Sequence, residues 1–182
     1  MRKLISLSAI LVLTVVVFSC ADNQKQTAPA TMTTNNANTD TALNKKLLAA
    51  VMEKVFNAHN LSDKVDKYYA PSYIQHNRSA PPGREGMKQF FAQLFAAFPD
   101  WKGEITHTMA EGDQVNIYVT WTGTHTGAFM GTPATKRKVT IYTADRFRIE
   151  NGVIAEHWDV VDNVDMLATI GAINFKGESN HE

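Results

Sequence analysis

The chain has 182 residues, 44% of them hydrophobic and 20% charged, with 18 basic and 18 acidic side chains. That length suits one domain plus extensions, and the composition is that of an ordinary globular protein. Once Arg2 and Lys3 are set aside as part of a leader, 16 basic residues stand against 18 acidic ones. No charge excess therefore points to nucleic acid or to a polybasic membrane patch as a partner.

The leader comes first. Arg2 and Lys3 precede a run from Leu4 to Phe18 whose only polar breaks are Ser6, Ser8 and Thr14. The run is too short to span a bilayer comfortably and has the length of a signal-peptide core. It ends at Val17-Phe18-Ser19-Cys20, and Cys20 is the only cysteine of the protein. This resembles the lipobox of bacterial lipoproteins, with an aliphatic residue three before the Cys and a small one just before it. The resemblance implies a signal peptide over 1–19, a diacylglycerol thioether on Cys20 and an extracytoplasmic, membrane-anchored domain. Two acyl chains, each contributing about 0.8 kcal/mol per buried methylene, make a stable anchor. The alternative is a plain secretory signal followed by a chance cysteine. With no second cysteine, the exported part has no internal disulfide and relies on its own core.

Residues 20–39 are rich in Thr, Asn, Gln and Ala and bury too little apolar surface to offset chain entropy, so they read as a disordered tether. The folded unit spans 40–173, and 174–182 reads as a flexible tail. Asp40 or Thr41 caps a first helix, with Leu43, Leu47, Leu48, Val51 and Val55 at three- and four-residue steps. Ser62 caps a short second helix ending near Tyr69, where Pro71 blocks continuation, and Tyr73 to His76 reads as extended. After the Pro81-Pro82-Gly83 loop, a third helix runs from about Arg84 to Phe98. Its face of Met87, Phe90, Phe91, Leu94, Phe95 and Phe98 predicts a core helix.

From Trp101 the period changes to alternation. Trp101–Ala110, Gln114–Thr126, Lys136–Ile149 and Val153–Val161 read as strands, and Asn163–Ile170 as a last short helix. Helices first, then a meander, is an α+β pattern with the helices on one face of a curved sheet. Alternation puts Val115, Ile117, Val119, Trp121, Gly123 and His125 on one side of the second strand. On the third strand it groups Val139, Ile141, Thr143, Asp145, Phe147 and Ile149. On the fourth it groups Val153, Ala155, His157, Asp159 and Val161, although Ile154, Trp158 and Val160 make nearly as good an apolar face. A carboxylate on such a face costs several kcal/mol unless paired or neutralised. Asp145 and Asp159 with two imidazoles therefore predict a partly wet pocket.

Several segments together resemble a known family. They are Tyr69-Ala70-Pro71-Ser72-Tyr73-Ile74-Gln75-His76-Asn77, Gly83-Arg84-Glu85-Gly86, Phe98-Pro99-Asp100, Gly123 to Pro133, Phe147 to Gly152 and Glu156-His157-Trp158-Asp159. In order and spacing they are similar to the SnoaL-like cyclases of the nuclear-transport-factor-2-like superfamily. The resemblance implies a cone-shaped α+β domain, a curved mixed or antiparallel sheet covered by N-terminal helices. It implies cofactor-free intramolecular aldol closure, with Asp159 as acid/base, His157 and Asp145 as its neighbours, and no metal. Asp145 stands where the family's pattern leads one to expect a histidine. His76, Trp121, His125 and Phe129 are the expected ligand-contacting residues, and a small hydrophobic molecule the expected partner. Relatives often pair through the outer sheet face, here Tyr118, Tyr142, Arg146, Glu156 and Trp158, so a homodimer is expected.

Other readings of the same residues stand beside these. Asp159 and His157 also suit a structural ion pair, Asp145 a hydrogen-bonded wall residue, and His76 and His125 loop anchors. A metal held by His125, His157 and Asp159 has only strand spacing in its favour. For the domain as a whole, the second reading is a non-catalytic binder of a small hydrophobic ligand at the envelope. The anchor itself is testable. In cells fed a fatty-acid probe, Cys20→Ser is expected to abolish acyl labelling and to leave the precursor uncleaved by the lipoprotein peptidase. Unchanged labelling would exclude the anchor.

Overall fold

A computed structural model describes residues 40–78 and 80–174. The expected signal peptide, the tether and all of the expected tail after Asn174 lie outside the described residues. Helix α1 (Thr41–Val51) starts where Asp40 Oδ1 accepts the amides of Ala42 at 2.9 Å and Leu43 at 3.1 Å. These are two of the N–H groups that a helix start leaves without partners. Leu48 and Val51 are buried, whereas Leu43 is half exposed. The chain then widens into a π-helical stretch (Met52–Phe56), closed by a 2.9 Å bond from Asn57 N to Met52 O. The Asn57 side chain accepts from Gly103 N at 2.8 Å and donates to Gly103 O at 3.0 Å, which ties the helix end to the sheet.

Helix α2 (Asp63–Tyr68) passes straight into strand β1 (Tyr69–Gln75). The sequence predicts a helix that ends near Tyr69, with Pro71 blocking its continuation, and extension only from Tyr73; the strand in fact starts at Tyr69 and takes in Pro71. Among the described residues β1 is an edge strand that pairs only with β5, and an edge position tolerates the missing proline N–H. Helix α3 (Gly83–Ala97) buries Met87, Leu94 and Phe95, but Phe90 and Phe91 are only partly buried. It is therefore a cavity wall as well as a core element.

Strands β2 (Lys102–Glu111), β3 (Gln114–Thr124), β4 (Lys138–Glu150) and β5 (Val153–Val161) follow, then helix α4 (Asn163–Ile170). The sheet order is β1-β5-β4-β3-β2, with β1 parallel to β5 and the remaining pairs antiparallel. The architecture is the expected α+β one. Asn151 and Gly152, at φ 51° and 76°, make the tight turn between β4 and β5, where both central residues need positive φ.

The inward residues of β3 and β4 are those that alternation selects. On β5 the pattern holds only in part. His157 pairs with Phe147 and Asp159 with Asp145, but the register shifts between Arg148 and Ile149, so that Ile154 pairs with Ile149. Ala155 is the extra residue of a bulge, and Ile154, fully buried, takes the core position expected of Val153. Among the described residues no helix is long and apolar enough to cross a membrane.

The loop after β3 is fitted tightly against the end of α3. Thr126 N and Gly127 N both donate to Ala97 O, at 2.9 and 3.0 Å. A Cβ at Gly127 would lie 2.5 Å from Ala96 O, a backbone atom that has nowhere to go. Gly127→Ala is therefore expected to lower stability by about 1–3 kcal/mol, the usual cost of overpacking. Denaturant unfolding checks this, and an unchanged midpoint would show that the loop moves freely.

Candidate functional site

Inside the sheet lies a cavity of about 310 Å³. Most of its wall is apolar, with Phe56, Phe91, Trp101, Trp121, Phe129 and Phe147 supplying aromatic surface and Met52, Met87, Met130 and Met166 flexible thioether chains. Its polar lining gathers mainly on the side of β1, β5 and β4, through Gln75, Asn77, Thr143, Asp145, His157 and Asp159, with Asn163 at the start of α4 beside them. These strands are neighbours in the sheet, which brings residues distant in sequence into one group.

Asp145 and Asp159 are direct cross-strand partners. Asp145 is well supplied with donors. His157 Nε2 lies 2.9 Å from its Oδ1, and the Thr143 hydroxyl donates a short hydrogen bond to its Oδ2. Thr143 Oγ1 in turn accepts the Trp121 indole N–H at 3.1 Å. Asp159 differs. Its side chain is hydrogen-bonded by Asn77, yet Oδ1 is buried with no hydrogen-bond partner among the described residues. Burial raises its pKa above the ordinary aspartate value, and the Asp145 charge adds to the rise. A positive charge on His157 would pull the other way, as does the Asn77 hydrogen bond. The expected rise is the net direction.

Of the residues singled out from the sequence, Asp145, His157, Asp159, Trp121 and Phe129 all line the cavity. His76 does not. It follows β1 facing outward, with its ring 4.2 Å from and parallel to that of Trp158, and Nε2 2.7 Å from Glu156 Oε2. His125 is also outside the lining. It is fully buried just past β3, stacked on Phe98, with Nδ1 3.1 Å from Thr135 Oγ1, and burial lowers its pKa. Both are anchors of their segments. A signal for the residues that the sequence reading passed over was present. In Tyr73-Ile74-Gln75-His76-Asn77, alternation puts Tyr73, Gln75 and Asn77 on the face opposite His76.

One ligand atom each from Asp145, His157 and Asp159 lies within 4.8 Å of the others, the spacing of a metal-binding group. His125, expected in such a group, is not part of it. Two of the three are already engaged with each other, through the bond from His157 to Asp145.

The model of the SnoaL-like polyketide cyclase family matches residues 46–170, well over half of the chain. TsrD from Streptomyces laurentii has a similar structure, with 26% identity and a TM-score of 0.67 over 75% of this chain and 100% of that one. IdmH, a putative polyketide cyclase from Streptomyces antibioticus, is 31% identical with a TM-score of 0.61, over 70% of this chain and 97% of that one. AclR, a putative hydroxylase from Streptomyces galilaeus, is 29% identical with a TM-score of 0.62, over 73% and 96% of the two chains. No curated protein sequence matches the chain. The matched segment starts within α1, takes in all five strands and ends with α4, and the chain belongs to the SnoaL-like polyketide cyclase family.

Proposed function

We propose that the domain takes up a small, largely apolar carbonyl compound and moves a proton on it with Asp159, without a cofactor. The observation that carries this is Asp159 Oδ1, a buried carboxylate oxygen with no partner among the described residues, at the polar side of an apolar cavity. An acid/base carboxyl works best with its pKa shifted toward the working pH, and burial shifts Asp159 in that direction. In the step envisaged, the Asp159 carboxylate takes a proton from a carbon next to a carbonyl. The enolate forms a carbon–carbon bond to a second carbonyl of the same molecule, and the alkoxide so made takes the proton back from Asp159. Atoms and electrons balance with no co-reactant. The cavity, about 310 Å³, is at the small end of the range of about 300–1,000 Å³ for ligand pockets, which favours a small ligand.

The reading includes its location. The charged start, the apolar run and the single Cys20 support a lipid anchor and a place on the outside of the cytoplasmic barrier. Native mass spectrometry of protein purified from its own membrane would name the ligand. That compound, incubated in deuterated water, is expected to exchange its α-protons with the wild-type protein, and about a hundred-fold more slowly with Asp159→Asn. A ligand returned by the wild type without exchange or change would leave the binder reading in place.

Asp159 also has a stability signature. A carboxyl whose folded pKa is raised destabilises the fold once pH exceeds its unfolded value of about 3.9, fully so above the folded value. Below both values it contributes nothing. Asp159→Asn is therefore expected to raise the melting temperature at neutral pH and to leave it unchanged at strongly acidic pH. A melting temperature lowered at neutral pH would mark Asp159 as a structural, paired carboxylate.

The outer sheet face supports a second copy of the chain as partner. Tyr142 is 60% and Val160 75% exposed there, beside Tyr118 and Met109, a mix of aromatic and aliphatic surface with the charged Arg146 and Glu156 around it. Light scattering on the lipid-free Cys20→Ser chain is expected to give twice the chain mass, and Val160→Glu to reduce it to one. A monomer at high micromolar concentration would rule out the pairing.

A further inference from the structure

The hydrogen bonds around His157 have a definite direction, which is set from Asn77 inward. Gln75 Oε1 accepts the backbone N–H of Asn77 at 3.0 Å. A backbone amide only donates, so the oxygen of the Gln75 amide must stand on that side. The NH2 end then faces the other way, and its two hydrogens have two acceptors. They are the Tyr73 hydroxyl oxygen at 3.2 Å and His157 Nδ1 at 3.0 Å. Nδ1 accepts, so it carries a lone pair and no proton. In the neutral ring the proton is then on Nε2, where it points at Asp145 Oδ1 over 2.9 Å. On its other oxygen Asp145 meets the Thr143 hydroxyl, itself turned by the Trp121 indole. Both chains of donors run toward Asp145 and end there.

We propose that Gln75 is a positioning residue that holds His157 as its Nε2–H tautomer, aimed at Asp145, and so leaves Asp159 as the carboxylate that exchanges a proton with the ligand. A proton added at Nδ1 would face the amide hydrogens of Gln75, donor against donor, while Nε2 already has its proton committed. His157 is thus a fixed donor to Asp145. The same wiring opposes a metal at the Asp145, His157 and Asp159 group. A histidine that ligates through Nε2 gives its Nδ1–H to an outer acceptor, and here the outer group presents N–H. The part of the inference that concerns Asp159 rests on the acid/base reading above. The tautomer of His157 does not.

Long-range proton–nitrogen correlation spectra of the 15N-labelled chain test the tautomer, recorded above the ordinary histidine pKa of about 6.5. The His157 ring is assigned by its loss in His157→Asn. In the wild type, Nδ1 is expected to be unprotonated and Nε2 protonated. Gln75→Glu keeps the shape but offers only acceptors to Nδ1, and it is expected to bring a proton onto Nδ1. A protonated Nδ1 in the wild type overturns the proposal, as does an unchanged Nδ1 in a Gln75→Glu chain whose amide spectrum remains folded. If that variant does not fold, the wild-type spectrum alone decides. The measurement needs neither ligand nor turnover, so its outcome is separate from whether Asp159 acts on a substrate.

Discussion

Asp145 and Asp159 stand opposite one another on adjacent strands, both turned toward an apolar cavity. Two carboxylates in that position repel each other and lose hydration together, so each needs its own local solution. Asp145 is satisfied by donors, His157 on one oxygen and Thr143 on the other. Asp159 keeps one oxygen without a partner among the described residues, and burial raises its pKa. One carboxyl thus has a donor on each oxygen and the other keeps a buried oxygen without a partner among the described residues, although the sequence offers two residues of the same type. The division follows from neighbours rather than from the residues themselves.

The support for this division comes from the three neighbouring strands β1, β5 and β4. Their inward residues make the polar group, and their outward residues form a second network. His76 and Arg146 both stack on the Trp158 ring, the latter at 4.0 Å, and Glu156 joins His76 to Arg148. Hydrogen bonds from His76 and Arg148 hold the Glu156 carboxyl below its ordinary pKa. Gln75, Asn77, Asp145, His157 and Asp159 therefore each have an outward neighbour in the chain that is itself held, which limits how far the strands can rotate. Family membership fits this arrangement without deciding the chemistry, since proteins of similar fold include a putative polyketide cyclase and a putative hydroxylase.

Much of this was legible in the sequence. The alternation of β3 and β4 is unbroken, so burial of Val115, Ile117, Trp121, Ile141 and Phe147 could be read from period alone, and with it the inward direction of Asp145. The inward direction of His157 and Asp159 is legible too, because their partners on β4, Phe147 and Asp145, are in phase. What was not legible depends on non-local facts. That the chain turns straight from α2 into a strand through Pro71 depends on that strand lying at the sheet edge, where a missing N–H is tolerated. His125 lies on the inward face as period demands, yet Phe98 from the end of α3 covers it, and no strand pattern contains that contact. His76 drew attention as a titratable residue, whereas the residues that reach the cavity are the amides on either side of it.

The bulge at Ala155 separates two parts of β5 that obey different constraints. On one side the strand must meet the Asn151-Gly152 turn in register, and on the other it must present His157 and Asp159 to the cavity. A residue lost at the bulge leaves both requirements intact, because Ile154 and His157 would still point inward across a regular ladder. A residue gained beyond Glu156 exchanges the two faces, sending the site's imidazole and carboxylate to the outer surface and an indole into the cavity. Length variation in this hairpin is thus tolerated at its root and forbidden a few residues later, a boundary drawn by strand phase and not by distance from the chemistry.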